Sequence, residues 1–289
     1  MSAFDREQWN AMALGTTPFM RWEWLELLES SGAVRPETGW LPAHCALRLD
    51  GELAAAAPLY VKGHGQGEFV YDQFWADVAR RMGLPYYPKL VAASPFTPVS
   101  GYRVLTAPDM DPGLAAKAVL HGADRLMQAN DLSGLHVLFA GDAFADCLEG
   151  LGMTAWEHQG FQRENQGFET FEDFLALFRT GQRRNIRRER ERLRQSGVRV
   201  EVVPGEGAPD AWFALMHRYY EGTNDKFGEW GCKYLPGAFF LGLAERFREH
   251  LAFSAAFLPG EADPVGLALL AHGGDTLYGR YWGAAREVP

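Results

Sequence analysis

ELAAAAPLYV (Glu52–Val61), followed by FVYDQFWAD (Phe69–Asp77), has a counterpart near the C-terminal end of the chain. There VGLALLAH (Val265–His272) is followed by TLYGRYWG (Thr276–Gly283). In both places an apolar strand rich in small residues leads through a loop that contains glycine into an aromatic strand. The two blocks share a pattern rather than identity, so we interpret them as an internal structural repeat.

Each block also begins with a strand and a tight turn. In the first block, His44–Leu49 predicts a strand and Asp50-Gly51 a hairpin turn before Leu53–Val61. In the second, Leu251–Phe257 predicts a strand that ends at a PGEADP turn. The first block continues through further strands and helices to about Arg163, whereas the second is followed by only a few residues. We therefore expect the second unit to be incomplete, with an unpaired strand at its edge.

Hydrophobic periodicity and turn residues predict the elements outside the two hairpins. The predicted helices are Trp22–Ser30, Asp72–Met82, Pro112–Asn130, Ala143–Leu151, Asp210–Tyr220 and Leu235–His250. The predicted strands are Glu68–Tyr71, Lys89–Ala93, Leu135–Phe139, Thr154–Arg163 and Val198–Val203. This mixture predicts an α/β fold, of the α+β mixed-sheet kind.

Composition limits the classes of function. The chain has 289 residues, 47% of them hydrophobic, and a formal net charge of −9, which argues against a general nucleic-acid coat protein. The three cysteines form no CxxC pair and no metal-ligand spacing, so we expect no metal site. No apolar run approaches the roughly 20 residues of a membrane helix, and the N-terminus has no secretory pattern. We expect a cytoplasmic protein without a membrane partner.

A basic segment interrupts this acidic chain at FEDFLALFRTGQRRNIRRERERLRQSGVR (Phe171–Arg199). Its first part spaces apolar residues as on one helix face, and Thr170 with Asp173 resembles a capping box. We expect Gly181 to divide the segment into two helices and Gly197 to end the second. The second part of the segment holds seven arginines within twelve residues, namely Arg183, Arg184, Arg187, Arg188, Arg190, Arg192 and Arg194.

Two interpretations of these arginines remain open. Arginine is suited to bidentate contacts with phosphate, so the row could hold a tRNA backbone, a nucleotide-sugar diphosphate or the phosphates of coenzyme A. Alternatively, the helix presents a solvated face that pairs with acidic groups elsewhere.

The order of elements resembles two GNAT acyltransferase units in tandem, the second opened by the arginine-rich helix. Five segments carry a more specific resemblance, namely Ala57–Asp72, Tyr86–Leu90, Pro95–Gly101, Arg183–Arg190 and Leu277–Gly283. In these segments the chain resembles the FemAB-like family, in its branch of predicted N-acyltransferases related to the Fem-type enzymes that build peptidoglycan cross-bridges. The resemblance implies two GNAT-like domains, residues 1–163 and 164–289, the second truncated.

The resemblance also implies a function. We expect an N-acyltransferase that moves an acyl or aminoacyl group to an amine of a small-molecule or peptidoglycan-precursor-like acceptor, in the cleft between the units. Acyl-CoA or aminoacyl-tRNA would be the donor substrate, which makes tRNA a candidate partner, and no tightly bound cofactor is expected. The pyrophosphate-binding loop of simple GNAT enzymes is absent from both halves, so the donor stays open.

Two segments are candidate substrate-binding walls. The proline-stiffened stretch Tyr86–Gly101 presents Tyr86, Tyr87, Lys89, Phe96 and Thr97, and forms either a preorganised site wall or a rigid connector. In the last strand, alternation places Tyr278, Arg280 and Trp282 on one face and Tyr281 on the other. This strand is either a cleft wall or an edge strand whose arginine extends to solvent.

The candidate catalytic residues are Glu68, Asp72 and Lys226. Glu68 and Asp72 are close in sequence and could accept a proton from an amine, and Lys226 could act as a polarising cation. The sequence shows no nucleophile–His–Asp arrangement, but acyl transfer to an amine can proceed by positioning and oxyanion stabilisation. The rival interpretation is a non-catalytic protein that binds RNA or a phosphorylated ligand through the arginine-rich helix. A third interpretation is that the chain is an inactive fragment of the enzyme.

Overall fold

The computed structural model describes residues 1–286. Its helices are α1 (Arg6–Met12), α2 (Trp22–Ser30), α3 (Gln73–Arg81), α4 (Pro112–Asn130), α5 (Asp142–Gly150), α6 (Phe171–Ala176), α7 (Thr180–Gln195), α8 (Asp210–Asp225) and α9 (Gly237–Arg246). Its strands are β1 (Trp40–Pro42), β2 (Cys45–Leu49), β3 (Glu52–Ala57), β4 (Leu59–Lys62), β5 (Lys89–Ala92), β6 (Leu105–Thr106), β7 (Leu135–Val137), β8 (Arg199–Pro204), β9 (Leu251–Phe257), β10 (Gly266–Gly273) and β11 (Thr276–Ala284).

These strands form three sheets. One has the order β1-β4-β5-β7, antiparallel except for the parallel pair β5–β7, and a smaller antiparallel sheet has the order β2-β3-β6. The third is antiparallel, in the order β11-β10-β9-β8. Helices pack against all three, so the predicted mixed α/β class is confirmed.

The single strand predicted over Leu53–Val61 is divided at Pro58 into β3 and β4. Proline has no N–H to donate to a sheet, so the chain leaves one sheet there and enters the next. The alanines of β3 are buried, and α4 packs against β2 and β3 through Ala115, Val119 and Ala123. Small side chains on both surfaces allow this close approach.

The second half is built on a regular meander. Along β9, buried residues alternate with half-buried ones, as expected for a strand with one face in the core. Helix α8 packs on β10 and β11, and α9 packs on α8. Strand β8 lies at the sheet edge and leaves Val200 and Val202 exposed.

The two halves join through aromatic packing between α2 and α9. Trp24 is buried, and its ring centroid lies 5.2 Å from that of Phe239 and 5.4 Å from that of Phe247. Gly242 permits the close approach of the two helices, because a Cβ atom there would lie 2.3 Å from a methyl group of Leu27. Buried apolar side chains of both halves therefore form one continuous core. The predicted boundary at residue 163 falls in an irregular segment, and the division into two domains stays a prediction.

Two predicted strands and one predicted helix break differ from the structure. Glu68–Tyr71 is a loop, because Phe69 and Tyr71 have positive φ values that no strand accommodates. Thr154–Arg163 is irregular and exposed throughout. The chain bends between α6 and α7, before Gly181, since Arg179 is extended and caps α7.

Replacing Trp24 with alanine tests this junction. We expect a loss of about 3–5 kcal/mol in the free energy of unfolding, because the variant removes a buried aromatic side chain of the first half that packs against the second half. Urea unfolding followed by circular dichroism measures it. Trp75→Ala is the matched control, since that ring is half exposed and its removal is expected to cost less than about 1 kcal/mol. Equal losses for the two variants would contradict the continuous core.

Candidate functional site

A buried ionic cluster lies at the start of α3. Lys89, on the central strand β5, has no exposed surface, and its Nζ lies 2.5 Å from Asp72 Oδ2 and 2.8 Å from Glu68 Oε2. Both carboxylates are almost completely buried. Within residues 1–286, the carboxylate oxygens of Glu68 have no polar partner besides this ion pair. One ammonium group therefore holds two carboxylates four residues apart.

Aromatic and imidazole groups surround the cluster. The hydroxyl of Tyr86 donates to Asp72 Oδ2 at 2.8 Å, and the rings of Tyr86 and Tyr87 lie about 5 Å from Lys89 Nζ. The Nδ1 atom of His136 lies 3.3 Å from the same ammonium. Burial, helped by the charge of Lys89, lowers the pKa of His136 to about 4, so this imidazole is neutral near pH 7.

The two carboxyl groups respond differently to burial. Burial alone would raise the pKa of Asp72, but hydrogen bonds from Lys89 and Tyr86 together with the charge of Lys89 lower it below its usual value. For Glu68, burial raises the pKa and Lys89 offsets only part of the effect. Asp72 is therefore the ionised partner of Lys89, and Glu68 is the carboxyl group that takes up a proton first as the pH falls.

A second lysine lies opposite Lys89. Lys62 is its cross-strand partner on β4 and is also fully buried. Its Nζ donates to the carbonyl of Gln66 at 3.0 Å and lies 3.7 Å above the ring of Trp40. Burial lowers the pKa of Lys62 to about 7, with the charge of Lys89 acting in the same direction and that of Glu68 against it.

Three aromatic residues near this cluster have strained backbones. Phe69, Tyr71 and Phe96 have φ values of +60°, +53° and +57°. Residues with a Cβ atom adopt this region rarely, and such strain persists only where the surrounding structure enforces it. Phe69 and Tyr71 lie between Glu68 and Asp72, and Arg280 donates to the carbonyl of Phe96 at 2.8 Å.

A cavity of about 200 Å³ lies between the two halves. The first half contributes the strained residues Phe69 and Phe96, and the second half contributes α8, the segment after it and β11. Its lining residues are Phe69, Phe96, Tyr220, Thr223, Asn224, Cys232, Tyr234, Leu235, Arg280, Tyr281 and Trp282. Of the residues that the structure describes, Arg280 is the only charged one that lines it.

The aromatic wall opposite the strained residues is built on the end of α8. Asn224 Oδ1 accepts a hydrogen bond from the amide of Cys232 at 2.7 Å, and the hydroxyl of Tyr220 accepts one from the amide of Tyr234 at 2.9 Å. These bonds hold the segment so that the ring of Tyr234 stacks on Phe96, with centroids 5.2 Å apart. The stacked pair closes the cavity from both halves.

A β-bulge directs Arg280 into the junction. Tyr281 pairs with Leu269 and Gly279 with Leu270, which leaves Arg280 as the extra residue. The predicted alternation along this strand is therefore wrong, since Arg280, Tyr281 and Trp282 all line the cavity. The guanidinium donates to Tyr281 Oη at 3.0 Å, and its Nε is buried without a hydrogen-bond partner among residues 1–286.

The structure separates the predicted site residues into groups. Glu68, Asp72, Tyr86, Tyr87 and Lys89 meet in the ionic cluster, and Phe96, Arg280 and Trp282 meet at the cavity.

Three further predicted residues lie outside both groups. Tyr278 packs on Phe19, and Thr97 is buried and donates to the carbonyl of Pro95. Lys226 is exposed at the C-cap of α8, outside the cavity lining.

The predicted arginines lie on an exposed helix. No residue of α7 is buried, and no lining residue of the cavity belongs to it. Arg187 pairs with Glu172 of α6, Arg190 lies 3.8 Å from the ring of Phe171, and Arg183 donates to Thr180 Oγ1. Arg184 and Arg188 are exposed on the same helix.

Sequence reasoning missed several cavity residues. Phe69 was assigned to a strand, and Tyr220 was placed only at the end of a helix. Asn224 and Tyr234 both belong to a glycine-rich aromatic segment, NDKFGEWGCKYL, which begins in the last turn of α8 and continues beyond it. Such a segment after an amphipathic helix is the signal that could have indicated a site wall.

The structure also limits metal binding and membrane insertion. Among the described residues, no group of three His, Cys, Asp or Glu side chains could hold a metal ion. None of the helices in that part of the chain is long and apolar enough to cross a membrane.

Comparison with known proteins places this geometry in context. The sequence model of the FemAB-like family, described as peptidoglycan biosynthesis/recognition, matches residues 1–289. Among the solved structures, FemX superposes with a TM-score of 0.52 at 13% sequence identity, over 98% of this chain and 80% of that chain. FemX has a GNAT-like fold, and at this identity the likeness shows the fold alone. A search of curated proteins finds no match.

The buried Lys62 predicts a pH dependence of stability. In the unfolded chain its pKa is near 10.5 and in the folded chain about 7, so the unfolded chain binds the proton more tightly. The cost of burying the ammonium is largest below pH 7 and declines as the pH rises towards 10.5. Between pH 7 and 9 we expect the free energy of unfolding of the wild type to rise by about 2 kcal/mol relative to Lys62→Met, measured by urea unfolding.

Lys117→Met is the matched control, because Lys117 is an exposed lysine of α4. The difference in the free energy of unfolding between Lys117→Met and the wild type should stay constant over the same pH range. A constant difference for Lys62→Met as well would show that Lys62 keeps an ordinary pKa in the folded protein.

Proposed function

The chain belongs to the FemAB-like family, and from this membership we propose that it is an N-acyltransferase that moves an acyl or aminoacyl group to an amine. The acceptor is a small molecule or a peptidoglycan-precursor-like peptide. The observation that carries the proposal is the cavity between the halves, where aromatic walls surround a guanidinium whose Nε has no hydrogen-bond partner within residues 1–286.

The size of the cavity limits what it can hold. At about 200 Å³ it is smaller than the roughly 300–1,000 Å³ of typical ligand pockets. It has room for the transferred group and the reacting amine, whereas a nucleotide or the remainder of a peptide would lie outside it. Trp282, which is 66% exposed, lies at the mouth and offers an aromatic surface to the part outside.

The reaction needs few protein groups. The acceptor amine attacks the carbonyl carbon of the ester or thioester donor, the carbonyl oxygen becomes an oxyanion, and the C–N bond forms. Collapse of this intermediate breaks the bond to the alcohol or thiol, which leaves with a proton from the amine. Arg280 would stabilise the oxyanion through the positive charge of its guanidinium, and the aromatic walls would exclude water and orient the two reactants.

The predicted catalytic residues do not take a direct part in this reaction scheme. Glu68 and Asp72 are buried and bound to Lys89, so neither can accept a proton directly from an amine in the cavity while the loop that carries them keeps its conformation. Lys226 remains a predicted polarising cation at the end of α8. Positioning and oxyanion stabilisation therefore carry the proposed mechanism.

The arginines of α7 are proposed to bind the phosphates of the donor. Arg183, Arg184, Arg187 and Arg188 are on an exposed helix, where they are accessible to a large ligand. Aminoacyl-tRNA and acyl-CoA both carry phosphates, and the donor is proposed as one of the two. Neither requires a tightly bound cofactor.

A transfer assay with both donors tests the proposal. We expect mass-spectrometric detection of a new amide on one member of a panel of amines that includes lysine-containing peptides. Arg280→Ala should lower kcat by about 10²–10³-fold, the usual effect of removing an oxyanion donor. Arg286→Ala is the matched control, since Arg286 is an exposed arginine that pairs with Glu261. Absence of transfer from either donor, with a folded wild-type protein, would reject the enzyme.

The exposed arginines of α7 also support a second function, binding of RNA without catalysis. We expect Arg183→Ala with Arg187→Ala to weaken tRNA binding in a filter assay and to reduce its salt dependence, because two phosphate contacts are lost. The control is Arg80→Ala with Arg81→Ala, an exposed pair on α3. RNA binding that depends on α7, combined with no transfer activity, would favour this function over the enzyme.

A further inference from the structure

The loop from Gly63 to Asp72 is fixed by one buried lysine. Glu68 and Asp72 flank the strained residues Phe69 and Tyr71, and both carboxylates bind the ammonium of Lys89. Lys89 is on β5, which pairs with β4 on one side and β7 on the other, so its backbone is held within a sheet. The loop is therefore tied to an interior strand of the sheet.

The space around the loop is narrow. A Cβ atom at Gly65 would lie 2.7 Å from the hydroxyl of Tyr87 and 3.2 Å from Asp72 Oδ1. A Cβ atom at Gly67 would lie 2.6 Å from the ring of Phe96. The loop thus passes between the ionic cluster and the cavity wall, in contact with both.

Phe69 connects this loop to the cavity. Its ring lines the cavity and lies 6.0 Å from the ring of Tyr234, which belongs to the second half. With φ at +60°, its backbone keeps this direction only while both ends of the segment are held. Lys89 itself has no exposed surface and does not line the cavity.

We propose that Lys89 is a positioning residue that sets the shape of the cavity by holding Phe69, rather than a residue that contacts the substrate. Removing Lys89 or its two carboxylate partners frees the backbone at Phe69 to relax to a negative φ. The ring of Phe69 then withdraws, and the cavity opens towards Tyr234. The inference about the cavity is independent of the reaction. Its consequence, that Lys89 selects the group that is transferred or the amine that receives it, rests on the proposed function.

The thiol of Cys232 reports on the cavity without any substrate. Cys232 is a half-buried free cysteine on the wall opposite Phe69. Alkylation with iodoacetamide and with a bulky maleimide, resolved by peptide mass spectrometry, gives a rate for each cysteine separately. In Lys89→Met we expect the maleimide rate at Cys232 to rise about tenfold, with the rates at Cys45 and Cys147 unchanged, because the opening is local.

A second variant separates positioning from folding. Lys89→Met leaves the two carboxyl groups buried without the ammonium that binds both of them, and the variant is expected to be less stable than the wild type. The triple variant Lys89→Met, Glu68→Gln, Asp72→Asn removes all three charges, so it should unfold at nearly the wild-type urea concentration while still lacking the ion pairs. A faster maleimide reaction at Cys232 in this folded triple variant than in the wild type supports the proposal. A reaction at the same rate as in the wild type overturns it.

Transfer kinetics give the second readout. If the wild type is active, the triple variant should show a raised KM for the acceptor amine with kcat changed much less, whereas an unchanged KM overturns the role in selection. If the wild type transfers nothing but Cys232 becomes reactive in the variant, the proposed function fails and the positioning role stands.

Discussion

The site depends on one interaction, the buried ion pairing of the Lys89 ammonium with the carboxylates of Glu68 and Asp72. A buried charge requires compensation, and here the compensating carboxylates, Glu68 and Asp72, belong to one short loop. The same contacts that satisfy Lys89 therefore dictate the path of the backbone through Phe69 and Tyr71. Charge compensation of Lys89 and the shape of the cavity are two results of one arrangement, which explains why aromatic residues occupy a backbone region that they otherwise avoid.

A comparable arrangement holds the opposite side of the site. The bulge at Arg280 turns a strand residue towards the first half, where its guanidinium donates to the carbonyl of the strained Phe96. Each half thus supplies a cation that fixes an aromatic residue of the first half. The core is continuous through α2 and α9, so the two halves that line the cavity also share buried packing.

The sequence predicted regular elements well where one period dominates. The bounds of α2, α4 and β9 are those expected from hydrophobic spacing and capping residues. The family and the mixed α/β class also followed from the sequence, because the segments that carry the resemblance are spread over most of the chain. Positions set by long-range contacts were not predictable. Glu68 and Lys89 are separated in sequence by α3, so local patterns do not reveal their pairing. The bulge at Arg280 has no local sequence signature. The position of Tyr234 in the cavity wall depends on its hydrogen bond to α8.

The irregular segment that precedes α6 has a consequence for how the molecule can be handled. Residues 154–163 are exposed, whereas Trp24 and Phe239 lock the flanking halves together in the core. Proteolytic nicking favours segments of this kind, and a cut here would sever the backbone without opening the aromatic junction. The two pieces would then remain a non-covalent complex. The protein is therefore suited to expression as two complementing fragments, each of which could carry its own isotope label or fluorophore.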